Sequence, residues 1–238
     1  MFVRSILAAG LAALGLAAPA SAATYSETFA FGCGGGVACD SASGSAANVA
    51  GLPSAFTLTQ GDLSATADAR TFVGSVAYRN NVITAATSRD AKIGRYWGGA
   101  GVFNKAGDAH TVDGNDNLND FIAVTFSRAV TLTEIGFGYF NGSFRLLADL
   151  DGDDRLGVGD FISTALTTTS AFALPATDFA ARTWGVAAFG KHDYFKLKSM
   201  TASYHQDDTT PPAVPLPAAA WLLLAGLGGL GAVARRKG

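Results

Sequence analysis

The sequence predicts an all-β protein, an antiparallel β-sandwich of jelly-roll-like type, set between two apolar end segments. Three observations predict it. Apolar residues in the middle of the chain recur with period 2, the signature of strands with one face buried. Short strand-like runs are separated by Gly-, Asn- and Thr-rich connections, and no stretch of the middle keeps a helical period. Finally, the acidic residues are 17 Asp against two Glu, and Asp favours turns where Glu favours helices.

The first 22 residues hold one positive charge at Arg4, an apolar run over residues 5–18, and Ala20 and Ala22 flanking Ser21. This is the layout of a signal peptide read by the secretion translocon, with cleavage expected between Ala22 and Ala23; an uncleaved N-terminal anchor is the alternative. In an exported chain with two cysteines, Cys33 and Cys39 are expected to form a disulfide closing a short Gly-rich loop. Two cysteines and three scattered histidines are too few for a structural zinc site, and the spacing is not that of CxxC.

Strands follow in order. Asn80-Asn81, between "SVAY" and "VITAAT", suggests a hairpin, since Asn tolerates the positive φ that a tight turn requires. "FIAVTFS" places Ile122, Val124 and Phe126 on one face. "TLTEIGFGYF" places Ile135, Phe137 and Tyr139 on one face, with Glu134, Gly136 and Gly138 opposite. Asn141-Gly142 then predicts a type I′ hairpin leading into "SFRLLA". "DYFKLKSMTASY" alternates Phe195 and Leu197 with Lys196 and Lys198, a last strand exposed on one side. The domain is thus expected over residues 23–205, followed by a polar, Pro-rich linker over 206–213.

Between residues 23 and 210 lie all 19 acidic residues but only 13 of the 17 basic ones, a formal charge of −6 that disfavours a nucleic-acid partner. The negative balance is concentrated in residues 108–160. Within that window "DLDGDDRLGVGD" sets Asp149, Asp151 and Asp153 at positions 1, 3 and 5 of a twelve-residue Ca²⁺ loop. The backbone carbonyl of Arg155 takes position 7, the apolar Leu156 position 8 and Asp160 position 12. Alternating carboxylates supply hard oxygen donors to one cation, so Ca²⁺ is the cofactor this spacing suggests. Two positions depart from the pattern: Asp154 stands where Gly is usual, and Asp160 is shorter than the usual Glu. A solvated acidic turn is the alternative. "DGNDNLND" offers a second set, Asp113, Asn115, Asn117 and Asp120, with an ordinary turn as the favoured reading.

Residues 218–234 are 17 consecutive apolar residues, about 25 Å as a helix against a hydrocarbon core of about 30 Å. They are expected to form a transmembrane helix, with the basic residues after it cytoplasmic. Before it stand Val214, Pro215, Leu216, Pro217 and Ala218; Trp221 lies early within it; Arg235, Arg236 and Lys237 follow it. Over residues 214–238 this order resembles the VPLPA variety of PEP-CTERM sorting signals. The resemblance implies recognition by an exosortase, cleavage near the motif, and transfer from an inner-membrane-anchored intermediate to the cell surface or extracellular matrix of a Gram-negative bacterium. Two prolines separated by one residue hold such a site extended at the membrane face. A permanent single-span anchor is the alternative reading.

Residues 98–140 are similar to a block of exosortase-dependent surface proteins, carried here by Gly98, Gly99, Gly101, Val102, His110, Val112 and Asp113. That resemblance implies no catalytic residues. The chain also lacks a Gly-x-Ser-x-Gly elbow, His-Glu-x-x-His, a Walker loop and a dinucleotide fingerprint, so a non-catalytic role is expected. Carbohydrate binding is the second functional class, with extracellular polysaccharide as partner and Trp97, Trp184 and Tyr204 as a candidate stacking platform.

Overall fold

The computed structural model describes residues 23–34, 38–40, 51–105, 107–115, 117–167, 171–173 and 179–206. The expected signal peptide, the expected linker from 207 onward and the expected sorting segment, with Val214 to Ala218 and Arg235 and Arg236, lie outside the described residues. Residues Thr24–His205 form one compact unit. Among the described residues it is all-β and antiparallel, with no helix, an arrangement consistent with a β-sandwich.

Fifteen strands are described: β1 (Ala23–Ala30), β2 (Ala55–Gln60), β3 (Leu63–Val73), β4 (Ala77–Arg79), β5 (Val82–Ala85), β6 (Ser88–Asp90), β7 (Lys92–Tyr96), β8 (Gly99–Phe103), β9 (Val112–Asp113), β10 (Leu118–Asn141), β11 (Arg145–Ala148), β12 (Phe161–Ile162), β13 (Ala171–Ala173), β14 (Ala181–Ala187) and β15 (Tyr194–Gln206). They fall into two groups joined by β10. Its first half pairs with β3 and β14, from Leu118↔Val73 to Phe126↔Ala65, in the group that runs on through β11, β12, β5 and β4. Its second half pairs with β15, from Thr131↔Ser203 to Asn141↔Tyr194, in the group that also holds β13, β8, β7, β1 and β9.

The change of group occurs where the β10–β14 register shifts between Thr125 and Val130, a bend of the kind that lets one strand serve two sheets. Trp184 fixes it: the buried indole Nε1 donates to the carbonyls of Val130 and Ala181, each at 3.1 Å. One continuous core lies between the groups. Phe29 of β1 meets Phe126 of β10 edge to face at 5.6 Å, and Ala65, Ala67 and Ala69 of β3 join Ile93, Val102 and Leu197 of the other group in the same buried cluster.

Several strand expectations need correcting. Ile122, Val124 and Phe126 do share a buried face, but Phe121 and Ala123 on the other face are buried too, in a second cluster with Phe72, Leu147, Leu156 and Ile162. This half of β10 is therefore central and covered on both sides. Ile135 and Phe137 point inward as expected, whereas Tyr139 is 54% exposed. Register shifts on both sides of Phe137 insert a bulge, which reverses the alternation and turns Phe140 toward the core instead.

Asn141-Gly142 does not make the predicted hairpin. β10 is claimed by β15 as far as Asn141, and β11 pairs with β12 and β14 instead. Gly142 has φ +81°, but its local role is close approach: a Cβ there would meet the His192 carbonyl at 2.8 Å, and Asn141 Nδ2 donates to that same oxygen at 3.0 Å. The true two-residue hairpin is Asn80-Asn81, with φ of 51° and 63° and the closing pair Arg79↔Val82. Phe195 and Leu197 are buried as expected, with Lys198 exposed and Lys196 half-buried.

Candidate functional site

The acidic loop lies between β11 and β12. Its ends are held by main-chain hydrogen bonds from Asp149 to the Thr183 carbonyl, from Gly159 to the Ile83 carbonyl and from Ile83 to the Asp160 carbonyl, each at 2.9 Å. Leu156 anchors its middle. It is buried in the second cluster, and a Cβ on Gly185 of β14 would run into its Cδ1, so the glycine supplies its seat.

Within this frame the loop carboxylates accept amide hydrogen bonds from the loop itself. Asp149 Oδ1 accepts from Gly152 at 2.7 Å and its Oδ2 from Asp154 at 2.9 Å; Asp151 Oδ1 accepts from Asp153 at 3.2 Å, and Asp153 Oδ1 from Arg155 at 2.8 Å. These turns bring one carboxylate oxygen each from Asp149, Asp151 and Asp153 within 4.8 Å of one another, with Asp149 buried and the other two exposed. That donor set fits a hard divalent cation, which takes carboxylate oxygens at 2.3–2.6 Å for Ca²⁺. Asp154 adopts φ +61°, the left-handed conformation for which the sixth position usually carries Gly. Its carboxylate pairs with Arg182 at 3.0 Å near the surface.

Asp160 is buried and stands outside that triad. Its Oδ1 accepts from Leu150 at 2.9 Å and its Oδ2 from Gly157 at 2.7 Å, so it braces the loop from within. Burial first, and then the nearby charges of Asp149 and Asp151, hold its pKa above the usual carboxylate range against those two donors. Arg155 is in the loop with its N–H on Asp153.

The second acidic set has two described carboxylates, each holding a hydrogen bond from a neighbouring side chain. Asp113 is buried and accepts from Thr111 Oγ1 at 3.1 Å, while Asp120 is fully buried and accepts from Asn104 Nδ2 at 2.7 Å. Burial, with Asp113 and Asp108 as further negative neighbours, pushes Asp120 up to about 8. Cys33 and Cys39 form the expected disulfide, with Cα atoms 5.0 Å apart.

The expected aromatic platform does not exist. Trp184 is core, and Tyr204 is 4% exposed and stacked on Tyr25 at 5.8 Å; Trp97, at 80%, is the one member that faces solvent. Tyr204 follows the alternation of β15, and Trp184 lies in a run of β14, 183–187, that is buried throughout. Alternation places Tyr194 on the outward side of β15 with Lys196, whereas Tyr139 faces outward only because of the bulge at Phe137, which the sequence does not show. No family model, curated protein or solved structure matches this chain.

Proposed function

We propose that this chain is an exported, non-catalytic surface or matrix protein, sorted by an exosortase and carrying Ca²⁺ in its 149–160 loop. The observation that carries it is the succession of sequence features at the tail: Val214 to Ala218, then the apolar stretch 218–234, then Arg235, Arg236 and Lys237. The signal-peptide layout over residues 1–22 provides export through the secretion translocon, and the Cys33–Cys39 disulfide suits an oxidising compartment. The Asp149, Asp151 and Asp153 triad supplies the oxygen donors for the cation.

The test is intact-mass analysis of the protein from the surface fraction of its host. The sorted form is expected to start at Ala23 and to end near the Val-Pro-Leu-Pro-Ala motif. Detection of Arg236 in the surface form refutes sorting and leaves a permanent single-span anchor.

A further inference from the structure

The turn joining β7 to β8 and the segment through His110 to Asn115 border a cleft of about 540 Å³ with the outward side of β10 and β15. That volume lies within the range of small-molecule sites, about 300–1,000 Å³. Tyr139 and Tyr194 line it as a near-parallel pair, 5.5 Å between centroids and 24° between planes, with Tyr139 more than half exposed. Glycines make the close approach of the walls possible. A Cβ on Gly138 would collide with the Gly98 carbonyl, and one on Gly101 with the carbonyl of His110. His110 itself has φ +52°, uncommon outside glycine, and its buried Nδ1 has no hydrogen-bond partner.

Lys196 supplies the cleft's cation. Its Nζ donates to the His110 carbonyl at 2.7 Å and lies 4.0 Å from the centre of the Tyr96 ring; among the described residues no carboxylate pairs with it. Burial lowers its pKa to about 8, the cost of holding an ammonium away from water without a counter-charge. The other charged group in the lining, Asp113, already accepts a hydrogen bond from Thr111. The exposed Tyr139 ring of that stack offers an apolar face to the C–H face of a sugar ring, and an ammonium with no carboxylate partner offers charge-assisted hydrogen bonds to a carboxylate.

We infer that this cleft binds an acidic polysaccharide, with a uronate ring lying on Tyr139, which Tyr194 backs by stacking, and its carboxylate on Lys196. The binding goes beyond the sorting reading and does not rest on it: the tail can remain uncleaved while the cleft binds, and the reverse.

The full-length protein in detergent is titrated calorimetrically with trisaccharides of galacturonate, of alginate uronates and of hyaluronate type, and with neutral maltotriose. At least one acidic trisaccharide is expected to bind at least about tenfold more tightly than maltotriose. Tyr139→Ala, at an exposed position, is expected to weaken that binding at least about tenfold while leaving Tm unchanged, and Lys196→Met to remove the preference for acid over neutral sugar. No binding by any acidic trisaccharide overturns the inference. So does equal binding of maltotriose, or affinity that survives Tyr139→Ala.

Discussion

If the 149–160 loop is a Ca²⁺ site, the cation must offset a repulsion that is visible in its absence. One oxygen from each of Asp149, Asp151 and Asp153 lies within 4.8 Å of the other two, so each pair repels by about 0.9 kcal/mol in water, roughly halved by physiological salt. Asp151→Asn removes two of the three pairs while keeping the Oδ1 acceptor for the Asp153 amide, so in chelator it should stabilise the domain by up to about 1 kcal/mol. Wild-type protein should gain when Ca²⁺ is added. For a dissociation constant of about 0.1–1 mM, usual for extracellular modules, 5 mM Ca²⁺ stabilises by about 1–2 kcal/mol. In a domain of this size that raises Tm by about 2–9 °C. Thermal scans in chelator and in 5 mM Ca²⁺, on both proteins, measure the two signs together. A wild-type Tm indifferent to Ca²⁺, or a Ca²⁺ shift that persists undiminished in Asp151→Asn, refutes the reasoning.

Two further outcomes follow from packing and burial. Gly138→Ala sets a Cβ against the Gly98 carbonyl and should cost about 1–3 kcal/mol by urea unfolding, whereas Gly152→Ala, in open space at φ +79°, should show only its backbone strain. Asp120, whose pKa is raised by burial to about 8, contributes stability that is full below about pH 4 and is lost as pH rises to about 8; Asp120→Asn should flatten that slope in chemical unfolding at pH 5 and pH 8. An unchanged slope in the variant refutes the assignment.

What the sequence made legible was what local chemistry decides. The alternation of Phe195 and Leu197 with Lys196 and Lys198 follows from a single strand, and the Asp149, Asp151, Asp153 spacing brings its oxygens together because short turns between them are local too. Asn80-Asn81 closes a hairpin for the same reason. The failures are all decisions made by partners distant in sequence. Asn141-Gly142 has hairpin chemistry, yet β15 pairs with β10 up to Asn141, and its neighbour turn at His192 takes the Asn141 amide. The bulge around Phe137 depends on the β15 register, and it alone decides that Tyr139 faces outward. Tryptophan at 184 looks like a binding residue by type; its place at the bend of β10 is set by where two strand groups meet.

The same distinction separates the two acidic segments. In the 149–160 loop, Asp149, Asp151 and Asp153 accept only amides of neighbouring residues, and Asp151 and Asp153 stay exposed. That leaves oxygen lone pairs facing solvent, where a cation can reach them. Around the second segment the carboxylates of Asp108, Asp113 and Asp120 tie the chain to itself, while Asp120 Oδ2 is buried with no hydrogen-bond partner. Asn104 donates through its main chain to Asp108 at 2.9 Å and through its side chain to Asp120 at 2.7 Å, and Thr111 donates to Asp113. These bonds fasten Asn104, Asp108, Thr111 and Asp113, of which Thr111 and Asp113 line the Tyr139 and Tyr194 cleft. The buried Asp108, Asp113 and Asp120 are then a support for a binding surface, and Asp149, Asp151 and Asp153 form a cluster that could hold a metal ion. Clustered Asp in sequence thus has two physical uses, and the exposure of Asp151 and Asp153 beside a buried Asp149 separates the first from the second.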